Sequence, residues 1–260
     1  MKIGISTIGY ESKDLISKCF NSWNKIKQDK TLIPEITDLK ICFGHGCFEE
    51  TFNLGFPIYS TDGSCELLQQ QKTEGIIDDL IIYDTPQKEY DMWTNNFLTL
   101  KENYNIDILI MVNVDEIWSV DEIKKLMKFI GQNSLVDFFK INFKNYCIDY
   151  NTWVDDFIVP RVWFVNKNNG LKGFYKDDLV EYKDGKKDFQ KSNVTVPKNL
   201  LFPKHYSWVG SKEYLQRKLK FQALRYGTCS YTWSETNNKL ELNEDFYLKF
   251  GVIKPILNKD

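Results

Sequence analysis

The segment Ile106–Glu122, IDILIMVNVDEIWSVDE, constrains the fold more than any other stretch of the chain. Ile108 to Val112 is an unbroken apolar run, too short for a membrane span, and it predicts a strand buried on both faces of a parallel sheet. The run ends abruptly in Asn113-Val114-Asp115-Glu116, which sets three oxygen-bearing side chains at the strand's carboxyl end. Ser119-Val120-Asp121-Glu122 then predicts a capping box that opens a helix. In open α/β sheets ligands bind in the crevice outside the carboxyl strand ends. Acids gathered there call for positive charge, and a hard divalent cation carrying a phosphorylated substrate suits them.

The same alternation runs through the first 130 residues. Lys2 to Ile8, Leu39 to Phe43, Phe56 to Ser60 and Leu80 to Tyr83 are short strand-like runs. Between them lie amphipathic stretches, one carrying Leu15, Ile16, Cys19, Phe20 and Trp23 at helical spacing. Strands alternating with helices predict a mostly parallel, Rossmann-like α/β sheet flanked by helices. After residue 132 the pattern changes. Asp137–Ile148 and Ile158–Asn166 are aromatic-rich strands of an antiparallel kind, and Asp184-Gly185 marks a hairpin within a turn-rich stretch. Ser211–Tyr226 closes this part with a basic helix. The expectation is a single domain over 1–260, with a ligand-binding half at 1–132 and a second half at 133–260.

With 260 residues and a net charge of −2, overall charge implies no partner. The segment Arg161–Tyr226, however, holds fifteen Lys/Arg against six Asp/Glu. That local excess suits phosphates, on a nucleotide or on nucleic acid. Six cysteines without zinc-type spacing predict free thiols in a reducing compartment. No apolar run approaches the ~18 residues of a membrane span, and a cytoplasmic protein is expected.

The opening IGISTIGYESKDLISKCFNSW and the segment ILIMVNVDEIWSVDEIKKLM together resemble the GT-A fold glycosyltransferases, in particular the family 2-like enzymes. The His205-Tyr206-Ser207-Trp208 segment ahead of a basic helix is similar to the β-1,4-N-acetylglucosaminyltransferase-like branch. The resemblance implies transfer of a sugar from a nucleotide-diphosphate donor, of the UDP-linked class, to an acceptor hydroxyl. It also implies a Mn²⁺ or Mg²⁺ ion on Asp115, completed by His205, with Asn113 standing where the family commonly has its first Asp. Donor contacts would come from Thr7, Gly9, Tyr10 and Glu11 in the first loop, and from the strand-end acids Asp62 and Asp84. Asn113, Glu116, Lys204 and Lys212 would lie near the diphosphate.

A carboxylate must reach the acceptor hydroxyl if the reaction inverts configuration. Asp155 and Asp156 are the candidates, with Asp178 and Glu181 as alternatives. Trp118, Trp153, Trp163 and Trp208 offer flat faces for sugar stacking, and His45 is a weaker site candidate. The acceptor is expected to be a glycan or small molecule. Two rivals are DNA bearing hydroxymethylated bases, reached through the basic segment, and a degenerate nucleotide-sugar-binding module.

Overall fold

The computed structural model describes residues 1–167, 170–176, 179–209, 212–227, 229–245 and 257–260. Its first part alternates strand and helix: β1 (Lys2–Gly9), α1 (Lys13–Gln28), β2 (Asp38–His45), α2 (Glu49–Asn53), α3 (Ser64–Thr73), β3 (Asp79–Ile82), α4 (Glu89–Tyr104) and β4 (Ile108–Met111). The short β5 (Glu116–Ile117) and α5 (Val120–Gln132) follow. Then come β6 (Phe138–Cys147), β7 (Thr152–Phe164), β8 (Leu171–Lys176), β9 (Leu179–Tyr182), β10 (Asn193–Thr195) and β11 (Lys204–Trp208). The last elements are α6 (Lys212–Tyr226), β12 (Tyr231–Ser234), β13 (Lys239–Leu242) and β14 (Asn258–Lys259).

The main sheet runs β3-β2-β1-β4-β7-β6-β11-β5, with β10 on β6 and β14 on β7. The first four strands are parallel. β7 is antiparallel to both its neighbours, β4 and β6. This is the expected mixed α/β sheet, parallel where strands alternate with helices and mixed beyond, where β10 and β11 run parallel to β6 while β7 and β5 are antiparallel to their neighbours. Helices cover both faces. α1 presses Ile16, Cys19, Phe20, Trp23 and Ile26 onto one face, and α5 adds Ile123, Leu126, Met127 and Ile130. The Ser119–Glu122 capping box is formed at the start of α5. α4 covers the other face with Met92, Trp93, Phe97 and Leu100.

One expectation is corrected. Phe56–Ser60 is irregular chain, not a strand. Its Pro57 has no N–H for a ladder, and Tyr59 is exposed. Asp184-Gly185 does reverse the chain, with Glu181 bridged antiparallel to Lys187 across it, and a further hairpin, β8–β9, precedes it.

The sheet has to curl, and the connection from β4 to β5 shows by how much. Four inter-strand gaps of about 4.8 Å separate these strands in the sheet order. The chain from Met111 to Glu116 has five Cα steps, about 18 Å at full stretch, and it also makes a turn in which Glu116 N donates to Asn113 O. Only a strongly curved sheet lets so short a segment reach. β-bulges supply bending, since an extra residue kinks a strand and increases its twist. The β6–β7 register slips at Arg161 and again at Asp155–Asp156, and the β6–β11 register slips between His205 and Trp208.

Candidate functional site

The carboxyl ends of β1 and β4 form the floor of an open cleft of about 1220 Å³. Gly9 and Tyr10 come from the end of β1, and Asn113 and Asp115 from the turn after β4. His205 and Ser207 reach in from β11, Phe157 from β7 and Lys218 from α6. The cleft thus lies where ligands bind in open α/β sheets, outside the carboxyl strand ends.

Asp115 is its electrostatic centre. Oδ1 lies 3.2 Å from His205 Nε2, and Oδ2 lies 3.6 Å from Lys218 Nζ. Burial alone would raise this carboxyl, but the charges of His205 and Lys218 outweigh it and hold Asp115 well below the usual carboxylate range. The arrangement follows from backbone pairing: His205 sits opposite Glu116 in the β5–β11 ladder, and Tyr206 N donates to Asp115 O at 2.8 Å. His205 is stacked on Phe157, with ring centroids 4.5 Å apart and planes 12° apart. Lys218 Nζ donates to Ser207 Oγ at 2.7 Å and lies 3.5 Å from Tyr214 Oη. Burial pulls the Lys218 ammonium down, but Tyr214 and Asp115 more than compensate and keep it charged.

Beneath this centre lies a second pair. Arg161, 1% exposed, directs Nε and Nη2 at Glu116 Oε1, each at 2.9 Å, and Glu116 is fully buried. Arg161 stands at one of the β7 bulges, and such a bulge re-aims a side chain toward a site. Arg161 also donates through Nη1 to Pro160 O at 2.8 Å.

The first loop is braced from outside the sheet. Glu11 has φ +48°, an uncommon conformation for a non-glycine residue that costs about 1–3 kcal/mol. An ion pair with Arg217 of α6 and a hydrogen bond from Thr61 Oγ1 at 3.0 Å hold it there. Tyr10 Oη donates to Pro57 O, which fixes its ring between the cleft and an aromatic slot of about 630 Å³. Phe48, Phe56, Tyr214 and Phe221 wall that slot.

Gly9, Tyr10, Asn113, Asp115 and His205 are therefore brought together, as expected. Others are placed elsewhere. Thr7 is buried within β1, where its carbonyl accepts from Asn96. Asp62 accepts from the backbone N–H groups of Lys13 and Ser64, fastening the starts of α1 and α3. Asp84 is exposed after β3. Lys204 pairs with Asp260, Lys212 with Glu235 and Asp155 with Lys198. Glu181 pairs with Lys172 in the β8–β9 hairpin. Asp178 and the side chain of Asp156 lie outside the described residues. Trp118 and Trp163 are core, Trp153 packs on Phe202, and Trp208 packs on Tyr231. His45 bridges Gly9 O and Ser60 Oγ, a structural link between strand ends.

Sequence reasoning missed Lys218 as a residue of this centre, and it missed Glu89, which lines the cleft from the first turn of α4. Pro160 carried a signal for the bulge that the sequence reading did not use. Proline inside a strand is confined to edges, first residues and bulges, yet β7 is central.

The side chains present offer the expected divalent ion few ligands of their own, so substrate phosphates and water would have to supply the rest. Among the described residues no three His, Cys, Asp or Glu side chains converge on one point. Asn113 contributes a neutral amide where the resemblance has a carboxylate. A dication on Asp115 would share that carboxylate with the Lys218 ammonium, and like charges at such range repel strongly in a partly dry site. A metal-bound His is ordinarily oriented by a hydrogen bond from its other nitrogen. His205 Nδ1 is buried with no protein partner among the described residues.

No protein-family model matches the chain, and no curated protein matches it in sequence. Solved structures do. Staphylococcus aureus TarS 1-349 aligns over 91% of this chain and 74% of its own, with 13% identity and a TM-score of 0.51. The mannosyltransferase PcManGT from Pyrobaculum calidifontis, in complex with GDP-Man and Mn²⁺, aligns over 84% of this chain and 60% of its own, with 9% identity and a TM-score of 0.51. TarS 1-349 in complex with UDP-GlcNAc aligns over 56% of this chain and 35% of its own, with 17% identity and a TM-score of 0.40. This chain thus spans about a third of that neighbour's length. The chain shares its fold with TarS 1-349 and with the mannosyltransferase PcManGT. Among the described residues no helix is long and apolar enough to cross a membrane.

Proposed function

We propose that the chain is a glycosyltransferase of the family 2 type, which binds a nucleotide-diphosphate sugar in the cleft and transfers its sugar to an acceptor hydroxyl. The observation that carries this reading is the cleft itself. At the carboxyl ends of β1 and β4 it sets a half-buried ammonium, Lys218, beside loop residues Gly9 and Tyr10, within a glycosyltransferase fold. Tyr10 and the aromatic slot take the base, since flat apolar rings stack well on one another. The diphosphate lies along Gly9, Asn113 and Lys218.

In the reaction the acceptor oxygen bonds to the anomeric carbon while the bond from that carbon to the diphosphate breaks. The diphosphate gains charge as it leaves, which Lys218 offsets. The acceptor proton passes to a carboxylate. Glu89 and Asp115 are the acids that line the cleft among the described residues; His205 and Lys218 hold Asp115, and Trp93 Nε1 donates to Glu89 Oε1 at 3.4 Å. Glu89, on the cleft wall, is the base in this reading, in place of Asp155 and Asp156.

A glycan or small-molecule acceptor agrees better with the basic segment than DNA does. Arg161, Lys172, Lys191, Lys198, Lys204, Lys212 and Arg217 are each ion-paired within the chain. Such pairing leaves less charge to displace counterions from a nucleic acid. The test is incubation with a panel of UDP- and GDP-linked sugars, reading release of nucleoside diphosphate. At least one donor is expected to be consumed. If none is turned over, with water, glycans or hydroxymethylated DNA as acceptor, the chain is a binding module or belongs to another chemistry.

A further inference from the structure

We infer that Lys218 is the resident counter-ion of the donor diphosphate, so that donor binding in this cleft does not require a divalent cation. The inference rests on the nucleotide-sugar reading of the cleft and adds to it what neutralises the phosphates.

Three observations carry it. The first is position. Lys218 lines both the cleft and the aromatic slot that opens beside it, so its ammonium stands at the junction where a base in one and a sugar in the other must be joined. The second is how the ammonium is held. Among its described neighbours Ser207 Oγ, at 2.7 Å, is the close acceptor. Tyr214 Oη at 3.5 Å and Asp115 Oδ2 at 3.6 Å are long contacts. Phosphate oxygens can compete for the protons that face those two, and lysine binds phosphate as a compact point charge.

The third is the state of the groups that would otherwise hold a metal. Asp115 is balanced by His205 on one oxygen and by Lys218 on the other. Asn113 adds no charge, and His205 Nδ1 has no protein partner among the described residues. The cleft's balancing positive charge is therefore built into α6. The other nearby cations are engaged: Arg161 with Glu116, and Arg217 with Glu11.

The experiment is isothermal titration of wild type, Lys218→Gln and Lys218→Arg with UDP, GDP, UDP-GlcNAc and GDP-mannose. Each is run once in excess EDTA and once with Mn²⁺. Wild type is expected to bind at least one of the four with an affinity that changes little between the two conditions. Lys218→Gln should weaken that binding about 10- to 100-fold in EDTA, the loss of one hydrogen bond to a charged group. Lys218→Arg, which keeps the charge, should recover most of it. Binding by wild type that appears only with Mn²⁺ overturns the inference while leaving the nucleotide-sugar reading intact. So does a folded Lys218→Gln that binds in EDTA as tightly as wild type. If none of the four binds in either condition, the nucleotide-sugar reading falls, and this inference with it. The wild-type comparison decides the question even if the glutamine variant does not fold.

Discussion

Arg161→Met is expected to lose about 3–5 kcal/mol of folding stability at neutral pH, because it strands the Glu116 carboxylate in the core. Glu116 is fully buried and faces Arg161 across two contacts of 2.9 Å. Burial already pushes its carboxyl up, against the pull of Arg161 and His205. Without Arg161 the folded-state pKa rises further above the unfolded value of about 4.3. The native state then holds the proton more tightly than the unfolded chain. The loss should therefore be smallest near pH 4, where both states are protonated, and should grow as pH rises through the folded value. Urea unfolding at several pH values measures this. Arg161→Met with Glu116→Leu should recover most of the stability, since apolar replacement of a buried pair is often neutral. A single-variant loss below about 1 kcal/mol would mean that the pair behaves like a solvent-screened one.

Glu89→Gln is expected to slow sugar transfer about 10²- to 10⁴-fold, the range for loss of a general base. Donor affinity should stay near wild type, because the amide keeps the size and the hydrogen-bonding reach of the acid. Nucleoside diphosphate release, together with a donor titration, separates the two effects. An unchanged rate would return the base to another residue. A parallel loss of donor affinity would make Glu89 a binding group instead.

Much of the site was legible because it lies where the chain changes character. The apolar run Ile108–Val112 and the polar turn after it placed Asp115 at a strand end, and the structure puts it in the cleft. His205 was legible for another reason, the likeness of His205-Tyr206-Ser207-Trp208 ahead of a basic helix to an element of the resembled family; the structure places it in β11. Lys218 was not, because in sequence it is one lysine among several on α6. Only the β11–α6 packing turns it toward Ser207 and Asp115. Lys204 and Lys212 misled for the converse reason: they flank His205, but their neighbours are Asp260 and Glu235.

The acids divided in the same way. Asp62 and Asp84 both follow apolar runs, yet one serves helix starts and the other faces solvent. Strand-end position alone does not separate a cap from a ligand contact. Glu89 escaped notice because it opens a helix, where an acid is expected from the helix dipole alone. Trp118 and Trp163 were core rather than sugar platforms, since rings of that size dominate the burial between sheet and helices. The curl of the sheet was out of reach except through Pro160, whose place in a central strand required a bulge.

The central claim is that a nucleotide-diphosphate sugar occupies the cleft between β1, β4 and α6. Backbone hydrogen exchange with and without a panel of nucleotide sugars tests it most directly. At a donor concentration 100 times its dissociation constant, the native state gains about 2.7 kcal/mol. Slowed exchange is expected at 8–11, at 111–116 and around Lys218 with at least one donor. If every donor leaves those three segments exchanging as in the free protein, the cleft is not the donor site.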